Sequence, residues 1–154
     1  MDDHRWMSRA VELAGRCPPS ESAFSVGAVI VDGHGTLLAD GWSRDIDPHV
    51  HAEESALSRV TDRAALRTAT VYSTLEPCSK RASRPHATCT GLIIAAGVPR
   101  VVIAWHEPDL FVTCEGVALL VAAGIEVVET PAFTLAARSP NKHLFRYEPG
   151  ESPD

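Results

Sequence analysis

The chain has 154 residues, which suits a single domain, and its apolar (45%) and charged (22%) fractions are typical of a globular protein. Its formal net charge of −6 argues against a general binder of nucleic acid or anionic membranes. No apolar run reaches the roughly 18 residues that a membrane helix needs, and the first residues lack an apolar signal core, so we expect a cytoplasmic protein with no membrane partner.

The first half of the chain predicts a helix, a hairpin and a second helix. Apolar residues fall on one helical stripe from residue 6 to residue 17, where two prolines end the helix. Two apolar runs, residues 26–31 and 37–42, are joined by a glycine-rich turn and therefore predict a β-hairpin. A polar loop follows, and residues 51–60 have the spacing of a helix.

The second half alternates between strands and helices. Short β-rich runs at residues 70–73, 101–104 and 125–128 are separated by helices predicted at 90–96 and 116–123, each closed by a glycine. Helices that end in Ala-Gly before β-branched runs are typical of βαβ crossovers, because glycine supplies a left-handed cap. We therefore predict an α/β fold, a three-layer α/β/α sandwich with about five strands, the first two antiparallel and the later ones parallel.

The end of the chain has no clear periodicity. From residue 130 onward the sequence is richer in proline and is predicted to be irregular. We assign residues 1–145 to a single domain and residues 146–154 to a frayed C-terminal tail.

Three potential metal ligands occur in the order His51, Cys78 and Cys89, with Glu53 two residues after the histidine and Pro77 before the first cysteine. One imidazole and two thiolates make a three-ligand zinc site whose fourth tetrahedral position is left to water. Four cysteines in a chain that is not predicted to be exported indicate metal binding or catalysis before disulfides. His-x-Glu followed by Pro-Cys and a later cysteine is the signature of zinc deaminases.

The spacing also predicts a chemistry. Zinc lowers the pKa of its water from about 15.7 towards 7. Glu53, in the first turn of the predicted second helix, can reach that water instead of the metal and carry its proton to a departing amine. The predicted reaction is a hydrolytic deamination, in which an amidine-like ring carbon is attacked and ammonia is lost. The predicted cofactor is Zn²⁺, and the predicted partner is a small heterocyclic amine.

Two alternatives remain open for these residues. His51, Cys78 and Cys89 could be a satisfied core histidine with two buried thiols, or ligands of a structural zinc site that takes a fourth ligand from His49 or His86. The corresponding function would be a non-catalytic zinc module that binds nucleic acid or protein. The acidic composition argues against nucleic acid, and the carboxylate two residues after the histidine argues for catalysis.

Residues 22–128 resemble the cytidine deaminase-like superfamily, most closely the deaminase domain of the bifunctional riboflavin-biosynthesis enzymes. The matching segments are residues 26–31, 41–42, 49–53, 72–79 and 96–102. The resemblance implies zinc on His51, Cys78 and Cys89, Glu53 as proton shuttle, and backbone N–H groups near Ala52 in contact with the substrate ring. Ten residues separate the two cysteines, which favours the riboflavin type, because cytidine and related deaminases usually keep only two between them.

In two places the sequence departs from the riboflavin type. The family's substrate-contacting asparagine and the proline after it are replaced by Ala23 and Phe24, a pattern closer to cytidine deaminases. The segment 79–88 lacks the family's Gly-Arg-Thr-Pro. The resemblance therefore implies a phosphoribosylated aminopyrimidine as the nearest substrate, with a cytidine, cytosine or deoxycytidylate type of ring as the alternative.

A cationic cluster follows the first predicted cysteine ligand of this acidic chain. Lys80, Arg81 and Arg84 lie in the insertion between the two cysteines and could bind a ribose phosphate, with arginine binding it in a bidentate manner. The alternative is a solvated loop. An insertion of this length beside a site needs some purpose, so both interpretations stay open.

Other candidate contacts are weaker. Phe24 and Trp42 could stack on a ring, although aromatic residues near the first strands are more often part of the core. His86 is a possible ring contact, Glu76 either contacts ring nitrogens or shapes its loop, and Cys17 is expected to be a buried thiol. Because deaminases of this superfamily commonly assemble, the resemblance also implies a homodimer or homotetramer.

Overall fold

The computed structural model describes residues 2–81, 87–106 and 115–145. Within these ranges, five α-helices and five strands follow in chain order: α1 (Asp3–Ala14), β1 (Gly27–Val31), β2 (Leu37–Trp42), α2 (Ala52–Ser58), β3 (Thr70–Ser73), α3 (Cys89–Ala96), β4 (Arg100–Ile103), α4 (Gly116–Ala122), β5 (Glu126–Glu129) and α5 (Thr134–Arg138). Three short 3₁₀ helices add Arg63–Thr68, Pro131–Phe133 and Ser139–Phe145.

The strands form one mixed sheet in the order β2-β1-β3-β4-β5. β1 pairs with both β2 and β3 in antiparallel orientation, whereas β3–β4 and β4–β5 are parallel. The two parallel connections run through α3 and α4, and the glycines that follow them, Gly97 and Gly124, have φ values of +78° and +85°. This topology confirms the predicted five-stranded α/β sandwich. A hairpin connects the first two strands, which are antiparallel, and crossovers that end in glycine connect the parallel ones.

Helices cover both faces of the sheet. On one face, α1 and α5 pack against the sheet. The buried cluster on this face includes Trp6, Met7, Val29, Tyr72 and Val102. On the other face lie α2, α3 and α4, and this cluster includes Ile30, Ala56, Ile93, Val101 and Leu120. The alternation follows from the two-residue period of a strand, which sends neighbouring side chains to opposite faces.

Several predicted boundaries were wrong by one to three residues. α1 ends at Ala14 instead of residue 17, which leaves Cys17 after the helix with its thiol 3.5 Å from the carbonyl oxygen of Val26. Burial raises the pKa of this thiol. α2 covers Ala52–Ser58, so His51 precedes the helix as its N-cap residue.

The C-terminal segment is more ordered than the sequence predicts. Residues 131–145 form consecutive short helical turns that pack back on the domain, with Ala137, Asn141 and Phe145 buried. The amide of Asn141 clamps residue 25: its Oδ1 accepts from the Ser25 N–H at 2.6 Å, and its Nδ2 donates to the Ser25 carbonyl oxygen at 3.1 Å. The proposed limits of the domain, 1–145, stay a prediction, and the tail of residues 146–154 lies outside the described residues.

Within the described ranges, none of the helices combines the length and the apolar character needed to cross a membrane.

Candidate functional site

Three potential ligand atoms meet where α2, α3 and the turn after β3 come together. His51 immediately precedes α2, Cys78 lies in the turn after β3, and Cys89 is the first residue of α3. The His51 Nδ1 atom lies 3.5 Å from the Cys78 sulfur and 3.3 Å from the Cys89 sulfur. Among the described residues this is the one group of three or more such side chains close enough to share a metal ion. An imidazole nitrogen and two sulfurs are a donor set that suits zinc.

The two thiols influence each other strongly. A hydrogen bond from the Cys89 thiol, supported by His51 and by the Cys89 backbone N–H at 3.2 Å, lowers the pKa of Cys78 to about 4. The same contact with Cys78, together with burial and the nearby Glu53 carboxylate, raises the pKa of Cys89. One thiolate is therefore favoured by the protein alone, and a cation between the sulfurs would favour the second.

A carboxylate lies beside this cluster. Glu53 is in the first turn of α2 and is 4% exposed, and its Oε1 atom is 2.5 Å from the hydroxyl oxygen of Ser73 at the end of β3. The same hydroxyl is 2.7 Å from the carbonyl oxygen of Leu75. Glu53 is not part of the group of potential ligands, although its carboxylate is close enough to Cys89 to raise the pKa of that thiol.

The turn that carries Cys78 is held by α3 and α4. The carbonyl oxygen of Cys78 accepts from the Thr90 N–H at 3.1 Å and from the Thr90 hydroxyl at 2.8 Å. Gly116 begins α4 directly against this turn, since a Cβ atom there would lie 2.1 Å from the Pro77 carbonyl oxygen. The buried Glu76 carboxylate accepts from the Val117 N–H at 2.9 Å, so it shapes the turn.

A cavity of about 400 Å³ opens next to the cluster. Its lining includes His51, Glu53 and Cys78 as well as four of the predicted substrate contacts, namely Phe24, Ala52, Lys80 and Arg81. The Phe24 ring packs against Trp105 and Phe145, at centroid distances of 5.7 and 6.4 Å, and forms an apolar side of the cavity. A volume of this size is in the range of small-molecule sites.

The structure does not bring every predicted contact to the cavity. Trp42 lies on the α1 face of the sheet, where the guanidinium groups of Arg16 and Arg59 approach its ring to 5.7 and 5.9 Å. This location is explained by its place in β2, whose alternation sends it away from α2. Arg84 and His86 lie outside the described residues.

Arg81 lines the cavity but is occupied by protein partners. Its side chain is 2% exposed and forms a 2.9 Å ion pair with Glu54. It also donates to the carbonyl oxygens of Ala87 (2.9 Å) and His49. One terminal nitrogen therefore fastens the insertion to the start of α2, and the other bonds to a carbonyl oxygen within the insertion. The side chain is thus not the free phosphate-binding fork that its position in the sequence suggests. Lys80, by contrast, is exposed.

Sequence reasoning missed Arg44, which also lines the cavity. Its backbone is left-handed, with φ +62°, and its guanidinium donates to the carbonyl oxygens of Pro18 (2.6 Å) and Phe24 (3.0 Å) and to the Ser25 hydroxyl (2.8 Å). With Asn141, it holds the segment of residues 18–26 that carries Phe24. Its acceptors are mostly backbone carbonyls, which leave no signal in a sequence.

Most of this chain is similar in sequence to known proteins. Residues 1–105 match the profile of the cytidine and deoxycytidylate deaminase zinc-binding region. The chain is 45% identical over 133 residues to the diaminohydroxyphosphoribosylamino-pyrimidine deaminase of Schizosaccharomyces pombe. The matched region covers 83% of this chain and 32% of that protein. It is 31% identical over 148 residues to the protein of the same name from Buchnera aphidicola subsp. Acyrthosiphon pisum. That match covers 95% of this chain and 95% of the Buchnera protein.

Solved RibD structures are also similar to this chain. The RibD structure of Acinetobacter baumannii, form 1, superposes with a TM-score of 0.79 at 34% identity and covers 94% of this chain and 39% of that one. The chain spans about a third of the length of the first curated relatives that it matches.

Proposed function

The chain belongs to the family of cytidine and deoxycytidylate deaminase zinc-binding domains, and on that premise we propose that it is a zinc-dependent hydrolytic deaminase of a small amino-substituted pyrimidine-type ring. The observation that carries the proposal is the juxtaposition of one imidazole nitrogen and two sulfurs with the Glu53 carboxylate, which is not itself one of the ligands. A structural zinc site would need a further protein ligand and would have no use for that carboxylate.

The donor set fits zinc, and His51, Cys78 and Cys89 would hold it. When bound, zinc activates a water molecule by lowering its pKa towards 7. The Cys89 N–H supports the Cys78 sulfur from outside the ligand set, in the manner of the outer hydrogen bonds that orient metal ligands.

The protein's own residues then account for proton transfer and binding. In the overall reaction a C–O bond forms at the ring carbon, the C–N bond breaks, and the departing nitrogen leaves as ammonia. Glu53 accepts a proton from water at its carboxylate and donates it to that nitrogen. Phe24, backed by Trp105, offers an apolar side against which a planar ring can lie, and the backbone at Ala52 lines the same cavity.

We propose a phosphoribosylated aminopyrimidine, as in riboflavin biosynthesis, as the substrate. Support comes from the names of the relatives, one of which is matched over 95% of its length, and from the ten-residue insertion between the cysteines. A ring of the cytidine or deoxycytidylate type is the second candidate, favoured by Ala23 and Phe24. Because Arg81 is held by Glu54, Lys80 is the described cation that we assign to the phosphate.

The test is ammonia release by the purified, zinc-loaded chain from a panel of three substrates: the phosphoribosylaminopyrimidine, its dephosphorylated form, and deoxycytidylate. We expect turnover of the first. A Lys80→Ala variant should raise KM about tenfold for the phosphorylated substrate and leave KM for the dephosphorylated one unchanged, because only the phosphorylated substrate has a phosphate that can pair with the lysine ammonium group. Lys142→Ala, which removes another exposed lysine, is the matched control.

Each result decides between the candidates. Turnover of deoxycytidylate alone would replace the proposed substrate by the second candidate, and equal KM changes for both aminopyrimidines would remove Lys80 from phosphate binding. No ammonia from any of the three, with one zinc per chain, would contradict the proposed function.

We also propose that the chain acts in the cytoplasm as a homodimer or homotetramer. A reducing compartment suits Cys17, Cys78 and Cys89, none of which forms a disulfide. Exposed apolar side chains on α4, such as Leu119 (42%) and Val121 (57%), support self-association. Light scattering on the purified chain measures its mass in solution, and a monomer at micromolar concentration would contradict the assembly.

A further inference from the structure

We propose that Ser73 is a positioning residue that holds the carboxyl group of Glu53 in place for proton transfer. The inference rests on the proposed function, in which Glu53 carries the proton. Ser73 is the last residue of β3 and is fully buried, and its hydroxyl oxygen lies 2.5 Å from Glu53 Oε1. A carboxyl group has two oxygens, so a hydroxyl that holds one of them leaves the other for the reaction.

The neighbours of Ser73 in the sheet are apolar, so a hydroxyl buried there lowers the stability of the fold unless it forms hydrogen bonds. Its cross-strand neighbours are Ala28 on β1 and Ile103 on β4, and Val71 precedes it on the same face of β3. A buried hydroxyl in such an apolar strand position destabilises a protein when it lacks hydrogen bonds. An aliphatic side chain would be the ordinary choice there, so the hydroxyl is explained by its partners.

Those partners connect two parts of the site. One is the Glu53 carboxylate on α2, and the other is the carbonyl oxygen of Leu75 at 2.7 Å, three residues before Cys78. A hydroxyl has one proton and two lone pairs, so it can donate to one of these oxygens while it accepts from a protonated partner. Ser73 can therefore stay bonded to Glu53 whether the carboxyl group carries a proton or not. When Glu53 is the donor, the Ser73 proton goes to the Leu75 carbonyl oxygen, and the hydroxyl then links α2 to the turn that carries Cys78.

The experiment compares Ser73→Thr with Ser73→Val, two variants of nearly the same shape that differ in the hydroxyl. We expect Ser73→Thr to keep kcat within about threefold of the original chain. Ser73→Val should lower kcat by about 10- to 100-fold with KM and zinc content unchanged, because a misplaced catalytic group costs rate more than binding. Ser73→Ala repeats the loss in a smaller side chain, in case the β-branched variants do not fold.

A second measurement separates positioning from packing. In a Glu53→Gln background, Ser73→Val should change the residual rate by less than twofold, since the group that it positions is gone. Equal kcat values for Ser73→Thr and Ser73→Val, or an unreduced effect in the Glu53→Gln background, would overturn the proposal.

Crystal structures of the two variants decide the matter even if the chain releases no ammonia. We expect the Glu53 carboxyl group to be displaced in Ser73→Val and in its original place in Ser73→Thr. The same Glu53 position in both would refute the role of Ser73, whereas the expected displacement with no ammonia from the original chain would refute only the proposed function.

Discussion

Glu53→Gln is expected to lower kcat by about 10²- to 10⁴-fold, the range for loss of a general acid–base group, without loss of zinc. Glutamine keeps the size of the side chain and can still accept a hydrogen bond from Ser73, but it cannot take up a proton. Steady-state ammonia release together with metal analysis checks both parts of the expectation. The fold should be retained, because the substitution removes no ligand and no apolar contact.

The control for this result is Glu12→Gln, which removes an exposed carboxylate on α1, on the other face of the sheet. It should leave both kcat and zinc content unchanged. If zinc content fell in Glu53→Gln, Glu53 would be a ligand and its assignment as proton carrier would be wrong. If kcat fell by less than threefold with zinc retained, another group would carry the proton.

Cys89→Ser is expected to lose bound zinc and with it most of the thermal stability that the metal provides. Cys89 is fully buried at the start of α3, and serine replaces a thiolate by a hydroxyl that stays protonated at neutral pH. The remaining histidine and Cys78 give only two of the three protein donors. Because a metal that binds the folded state stabilises it, we expect a lower Tm that no longer responds to a chelator, whereas the original chain should lose stability when zinc is removed.

Cys17→Ser is the matched control, since Cys17 is a free thiol that contacts the Val26 carbonyl away from the cluster. This variant should retain one zinc per chain and the response to the chelator. A Cys89→Ser protein that bound a full equivalent of zinc would contradict the assignment of the ligands. A lower Tm in Cys89→Ser without any chelator effect on the original chain would show that the cysteine stabilises the fold by packing alone.

The sheet could be predicted from the sequence because its signals are local. Short β-branched runs, a glycine-rich turn and the glycines at 97 and 124 indicate strands, a hairpin and crossovers, and each lies within a few residues of what it specifies. The helix ends were less accurate, since their last turns depend on packing. The helical turns of residues 131–145 were missed because their sequence has no helical periodicity. Buried contacts, such as those of Asn141 with Ser25, hold them in place instead.

The same distinction applies to the site. The meeting of His51, Cys78 and Cys89, with Glu53 in the adjoining cavity, could be predicted because a zinc deaminase motif uses particular residue types at a characteristic spacing. The role of Arg81 could not, because a cation in a loop has the same appearance in a sequence whether it faces a ligand or pairs with a buried carboxylate such as Glu54.

Other contributors lacked any local signal. Arg44 and Asn141 act on backbone atoms of a segment that is distant in the chain, and Ser73 acts on a side chain twenty residues earlier. Trp42 is a candidate ring contact from its neighbourhood in the sequence, whereas the alternation of β2 decides its face. Contacts of this kind become visible only when the strands and helices are assembled.

The close approach of Gly116 to Pro77 affects how substitutions should be interpreted across this domain. Even alanine at 116 would force the peptide that carries Cys78 to move, because the added methyl would lie 2.1 Å from a backbone oxygen. A saturation mutagenesis experiment would therefore group position 116 with the ligands, although it has no side chain to offer. Intolerance to replacement in this protein thus measures how rigidly a thiol is presented as well as which atoms do the chemistry.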